Sequence, residues 1–250
     1  MRSIMACMAL LLADLADFLR KNTKLKIIEV PGWREAGRGP EHGGFDPVGV
    51  LWHHTGSVDQ IPNSVDDDYK YAVWLSKIGR SDLPPPLCHV SVGRDGTCYM
   101  IAAGRSNHAG KARPSGPIPG GDGNELYIGI ECQNSGSEGW SKAQHQAMIT
   151  LAAALSRYLK RGARIHRGHK ETSVTGKWDP GRYDMSRFRA DIAHVLEATP
   201  APKPVTDVLL MRQQIISALQ EHGAKVPATR IAAHRMITEI QAALDKGPKL

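Results

Sequence analysis

Residues 48–55 read Val-Gly-Val-Leu-Trp-His-His-Thr, five uncharged residues that run straight into two histidines and a threonine. A short apolar run of this kind reads as a strand. Its polar end is where a side chain leaves the core and reaches a cleft. Upstream, Pro31 to Pro47 is rich in Gly, Pro and charge and reads as a long loop. Downstream, a helix is predicted from an N-cap at Ser64, with Asp67 three residues on, to a stop at Gly79.

Further along, Pro84-Pro-Pro86 breaks the chain. Leu87–Gly93 and Thr97–Ala102 then flank Arg94-Asp-Gly96, the pattern of a hairpin with a tight turn. A second Gly/Pro-rich loop is expected over Gly110–Asn124, followed by a buried strand from Leu126 to Cys132. Ser141 and Gln144 form a capping-box pattern. Met148, Leu151, Ala152, Leu155 and Leu159 recur at helical spacing behind it, with Gly162 as the stop. A short strand at Arg164–His166 and a closing helix over Ser186–Ala198 complete this part.

Thr199 to Pro204 (Thr-Pro-Ala-Pro-Lys-Pro) is a linker by composition. Two amphipathic helices are expected beyond it, about 205–222 and 227–246, separated by Gly223. Alone they bury little, so they must pack on each other, on the main domain or on a second copy. The expected division is a main domain at 1–198, a linker at 199–204 and a helical hairpin at 205–250.

The chain has 250 residues, 41% hydrophobic and 23% charged, which excludes collagen-like, disordered and disulfide-scaffold classes. No apolar run reaches the roughly 18 residues of a membrane span. The longest, Ile4–Ala13, is followed by Asp14 and Asp17. It reads as part of a helix over Ile4–Lys21 rather than a signal peptide, so the product is expected to stay in the cytoplasm where it is made. Cys7, Cys88, Cys98 and Cys132 form no CxxC pair, and the last three read as small buried thiols. The net charge of +7 suits a polyanionic partner. Its basic residues are spread out and aromatics make up only 6%, so a nucleic-acid partner is not expected.

No HExxH, GxSxG or P-loop is present. Three polar places stand out instead. They are His53-His54-Thr55, Glu131 inside Ile128-Gly-Ile-Glu-Cys132, and Gly168-His169 followed by Lys177-Trp-Asp179-Pro-Gly181. Each alone has an ordinary structural reading: a hydrogen-bonded core histidine, a paired acid, a solvated turn. Together they offer two histidines and a carboxylate, a ligand set of catalytic zinc with a fourth position open. They also offer a glutamate for proton transfer and a lysine for a developing oxyanion. Such a set is complete for amide hydrolysis.

The chain from about Pro31 to Ile192 resembles the zinc N-acetylmuramoyl-L-alanine amidases of the amidase-2 and peptidoglycan-recognition-protein superfamily, closest to endolysins of actinobacterial phages. The resemblance is carried by V-G-V-L-W-H-H-T (48–55), G-R-S-D-L-P-P-P-L-C-H-V (79–90), G-R-D-G-T-C-Y (93–99), S-N-H-A-G (106–110), I-G-I-E (128–131), G-H-K-E (168–171) and K-W-D-P-G (177–181). It implies an α/β fold, a mixed central sheet flanked by helices, with a zinc site above the strand ends. It also implies His53, His169 and Asp179 as zinc ligands, Glu131 as general base and Lys177 as the oxyanion-stabilising lysine. The steps of eight residues from His169 to Lys177 and ten to Asp179 fit the branch with a carboxylate ligand. His54, its side chain on the opposite face of the strand, is the structural neighbour. His89, Asn107 and His108 map to the substrate cleft, with a structural role for the two histidines equally open.

The implied reaction cuts the amide between N-acetylmuramic acid and L-alanine in bacterial peptidoglycan. The enzyme would be made in a host cytoplasm and act on the wall. The alternative is a non-catalytic peptidoglycan-binding module of the same fold, which typically lacks a ligand. One departure from the family is Val174-Thr-Gly176, where relatives often have Pro-Gly-Arg before the lysine.

Overall fold

The computed structural model describes residues 12–56 and 68–198. The start of the first predicted helix, the Ser64 cap, the linker and both C-terminal helices lie outside these residues.

The described elements run α1 (Leu15–Asn22), β1 (Ile27–Glu29), β2 (Gly49–His54), α2 (Asp68–Lys77), β3 (Val90–Val92), β4 (Cys98–Met100), β5 (Lys111–Ala112), β6 (Gly121–Asp122), α3 (Gly123–Leu126), β7 (Tyr127–Cys132), α4 (Lys142–Tyr158), β8 (His166–Gly168), α5 (His169–Thr172) and α6 (Met185–Ala198). Six strands form one sheet in the order β1-β4-β3-β7-β2-β8. The β3–β4 hairpin is antiparallel and every other pairing is parallel. The fold is therefore α/β with a mixed central sheet, as expected. The small β5–β6 ribbon sits inside the predicted 110–124 loop.

The two-residue period of the strands divides the core. Cys98 and Met100 of β4 enter the larger cluster, built with α1, α4 and α6. Tyr99 between them enters a smaller cluster with Ala72 and Leu75 of α2. Helices thus cover both faces, as parallel strands require. Trp52 is fully buried; its indole N–H donates to His166 Nδ1 at 3.1 Å and its ring meets Phe188 edge-on at 5.0 Å. Cys88, Cys98 and Cys132 are buried free thiols, as predicted.

Three local expectations change. Ser141 caps α4 by accepting from the Gln144 N–H at 3.0 Å, but the Gln144 side chain does not close the box. Its amide is buried and donates to the carbonyls of Val92, which also accepts from the Gln133 N–H, and of Gln133. The helix ends at Tyr158, before Gly162, because Lys160 itself takes the left-handed conformation (φ 53°). Strand β8 begins at His166, after a 3-10 turn over Ala163–Ile165.

Candidate active site

The register of three parallel strands decides where the polar residues go. His53 stands opposite Glu131 across the β2–β7 pair, and Trp52 stands opposite Gly168 across β2–β8. His169 follows Gly168, so Glu131, His53 and His169 come from neighbouring strand ends on one edge of the sheet. The carboxyl ends of parallel strands are where α/β folds place their crevices. A cleft of about 440 Å³ opens there; its walls include His53, Glu131, His169, Lys177 and Asp179.

Asp179 arrives on the loop between α5 and α6, and that loop is anchored through its backbone. The Lys170 N–H donates to Asp179 O at 2.7 Å. The Lys170 ammonium donates to the carbonyls of Pro180 and Tyr183 at 2.8 and 2.7 Å. The Trp140 indole donates to Gly181 O at 3.0 Å, and the Gly181 N–H donates to His54 Nδ1 at 2.8 Å. A methyl group at Gly181 would collide with the Trp178 ring and the Gly136 carbonyl, which accounts for glycine there. Glu171 holds the α5 end: its carboxylate accepts from Arg167, Arg189 and the Gly168 N–H.

This scaffolding brings His53 Nδ1 to 2.8 Å and His169 Nδ1 to 3.1 Å from Asp179 Oδ2. All three residues are buried, and one donor atom from each lies within 4.8 Å of the others. Two imidazoles and one carboxylate fit a divalent metal of the zinc type, and three protein ligands leave a position free for water or substrate. Burial, then the neighbouring His169, push His53 down to about 4 against the pull of Asp179, so it is neutral, as a ligand must be. Burial opposes ionisation of Asp179, but hydrogen bonds from His169 and His53 outweigh it and hold the carboxyl well below the usual range.

Glu131 has an enclosed Oε2 with no hydrogen-bond partner. Burial first, then the charge of Asp179, raise its carboxyl well above the ordinary value, against the opposing pull of Lys177. A half-buried acid with one enclosed oxygen at the cleft is placed to exchange a proton with a reacting group. Lys177 itself is exposed at the rim.

His54 is tied to the loop and meets Trp178 edge-on at 4.4 Å. His54→Ala is expected to keep one metal per chain, because His54 supplies none of the three donors. It should lower stability by about 1–3 kcal/mol, the cost of leaving the Gly181 N–H without its acceptor. Thermal unfolding and metal analysis of the variant check both parts.

Asn107 and His108 line the cleft. The Asn107 side chain donates to Pro84 O at 3.3 Å. His89 lies outside that lining. It is fully buried, stacks on Phe45 at 4.7 Å, and accepts from the Gly129 N–H at 2.8 Å. Its place is in the core behind His108, because strand β3 starts one residue later and carries it inward. Sequence reading assigned no role to Lys170, Glu171 or Asn124. The first two stood in the quoted G-H-K-E segment, which was the available signal. Asn124 accepts from the N–H groups of His108 and Ala109.

The family model described as N-acetylmuramoyl-L-alanine amidase matches residues 44–182. Among solved structures, an AmpD derivative is 23% identical, over 67% of this chain and 94% of that one, with a TM-score of 0.47. The endolysin amidase LysCS from Clostridium intestinale is 23% identical over 67% and 95%, with a TM-score of 0.43. AmiD from E. coli, in complex with anhydro-N-acetylmuramic acid-L-Ala-D-gamma-Glu-L-Lys, is 19% identical over 60% and 59%, with a TM-score of 0.44. No curated protein matches the sequence.

Proposed function

The chain belongs to the N-acetylmuramoyl-L-alanine amidase family, and from that premise we propose that it is a zinc-dependent peptidoglycan hydrolase that cuts between the lactyl group of N-acetylmuramic acid and L-alanine. The observation that carries this reading is the meeting of His53, His169 and Asp179 beside Glu131, whose enclosed Oε2 has no partner, at one cleft. A binding-only module has no need to enclose an unpaired acid, which costs stability.

His53, His169 and Asp179 would hold the metal. Zinc, when bound, supplies the Lewis acidity that lowers the pKa of water and polarises a carbonyl. Glu131 accepts the proton of the attacking water and passes it to the departing nitrogen of L-alanine. Lys177, at the rim, places its ammonium where the oxyanion develops. The Asn107 amide, on the cleft wall, is available to the muramoyl peptide. The fixed loop keeps Lys177 and Asp179 in register two residues apart.

The test is digestion of purified peptidoglycan. New primary amines should appear without new reducing sugar ends, and a chelator should stop their release. Tight wall binding with no amine release would favour the non-catalytic module.

The setting we propose is lysis of a host wall, as an endolysin made in the host cytoplasm. No helix among the described residues is long and apolar enough to cross a membrane. Residues 205–250 we propose as a wall-targeting or self-association module. Residues 203–250 carry seven Lys or Arg against four Asp or Glu, a net +3 that suits an anionic, multivalent wall. Truncation after Ala198 is expected to leave a folded, zinc-binding protein with normal turnover of small soluble muropeptides. Its activity on whole wall should fall. Unfolding or aggregation of the truncated chain, seen by circular dichroism and light scattering, would make the segment a structural cap instead.

A further inference from the structure

We propose that His108 is a positioning residue for His53: it accepts the proton that His53 must carry on its outer nitrogen, and so holds the His53 ring with Nδ1 facing the metal position. This rests on the reading of His53, His169 and Asp179 as metal ligands.

An imidazole that ligates through Nδ1 keeps its single proton on Nε2. His53 is 2% exposed, so that N–H is out of reach of bulk water and needs an acceptor in the protein. His53 Nε2 lies 3.2 Å from His108 Nδ1, with the two rings edge to face at 84°. An imidazole nitrogen accepts only when it carries no proton. The other nitrogen of His108, Nε2, lies 3.3 Å from the carbonyl oxygen of Tyr127, which can only accept. His108 therefore keeps its proton on Nε2 and offers a lone pair at Nδ1. With a metal bound, hydrogen bonds then run one way, from His53 to His108 to the β7 backbone, and His53 Nδ1, which here lies 2.8 Å from Asp179 Oδ2, carries no proton and can ligate.

The surroundings hold His108 in that orientation. Its N–H and that of Ala109 both donate to Asn124 Oδ1, at 2.8 and 2.7 Å. The His89 ring packs against it edge-on at 5.6 Å. Beneath it lies Gly129 of β7, where a Cβ would stand 2.5 Å from His108 Cγ and 2.6 Å from Nδ1. The glycine of the I-G-I-E segment is thus the seat of the His108 ring. Partners of this kind fix the tautomer of a ligating histidine.

The test compares zinc affinity, by chelator competition, in the wild-type chain and three variants. His108→Leu keeps bulk and removes the acceptor; it should bind zinc about 10–100-fold more weakly. His108→Asn returns an oxygen near the place of Nδ1 and should recover to within about threefold of wild type. Gly129→Ala alters no metal ligand and removes no hydrogen-bonding side chain, yet by displacing the His108 ring it should weaken zinc about tenfold. A second readout needs no variant: long-range nitrogen-15 correlation spectra of the zinc-loaded wild type should show both His53 and His108 protonated at Nε2. Equal zinc affinity in wild type and His108→Leu, or a proton on His108 Nδ1, would overturn the proposal. A wild-type chain that binds no zinc would instead overturn the metal reading, and this proposal with it.

Discussion

Asp179→Ala is expected to abolish both zinc binding and amide hydrolysis. Asp179 is the only anionic member of the ligand group, and its Oδ2 lies between the Nδ1 atoms of His53 and His169. Without it, two neutral imidazoles remain, and they neutralise none of the metal's charge. The electrophilic help a metal gives a scissile carbonyl is worth several kcal/mol, so the loss in turnover should be about 10³-fold or more. His53→Ala and His169→Ala should behave alike, and stoichiometric zinc should restore the chelated wild type but none of these variants. Metal content and turnover are measured together on each purified protein, with His54→Ala as the folded control that keeps its zinc. Full zinc content in Asp179→Ala would move the ligand set elsewhere.

Glu131→Gln should separate metal binding from proton transfer. The amide keeps the shape of the side chain and cannot take a proton. Zinc should stay bound, KM should change little, and kcat should fall by roughly 10²–10⁴. Stability should hold or rise, because the wild-type carboxyl is enclosed with an unpartnered oxygen and the neutral amide escapes the cost of burying charge. A variant that turns over at nearly the wild-type rate would move the base to another group, with a histidine the next candidate.

These two predictions draw on residues whose signals were plain in the sequence. An acid inside Ile128-Gly-Ile-Glu-Cys132 and histidines at the end of an apolar strand conflict with their surroundings, and that conflict marks them. Strand β2, strand β7, the hairpin and helix α4 were legible from apolar period and turn residues. Strand β1 was missed because Ile27–Glu29 is only three residues long on the sheet edge, too short for a period to show.

The supports of the site were harder to read, for a physical reason. Lys170 and Trp140 hold the Asp179 loop through backbone carbonyls, and every residue type presents the same carbonyl. Gln144 sat in a capping-box pattern, but its buried amide turns to the carbonyls of Val92 and Gln133 at the strand ends instead. His108 lines the cleft as read, but its contact with His53, 55 positions away, was not legible because a loop outside the sheet carries it there.

The most direct measurement is hydrolysis of a defined muramoyl peptide in ¹⁸O-enriched water with zinc present, followed by mass spectrometry of both products. One ¹⁸O atom is expected in the lactyl carboxylate of the N-acetylmuramic acid product, with a free, unlabelled L-alanine amine on the peptide. Label at a sugar reducing end, a cut elsewhere in the peptide, or intact substrate with zinc bound would contradict it.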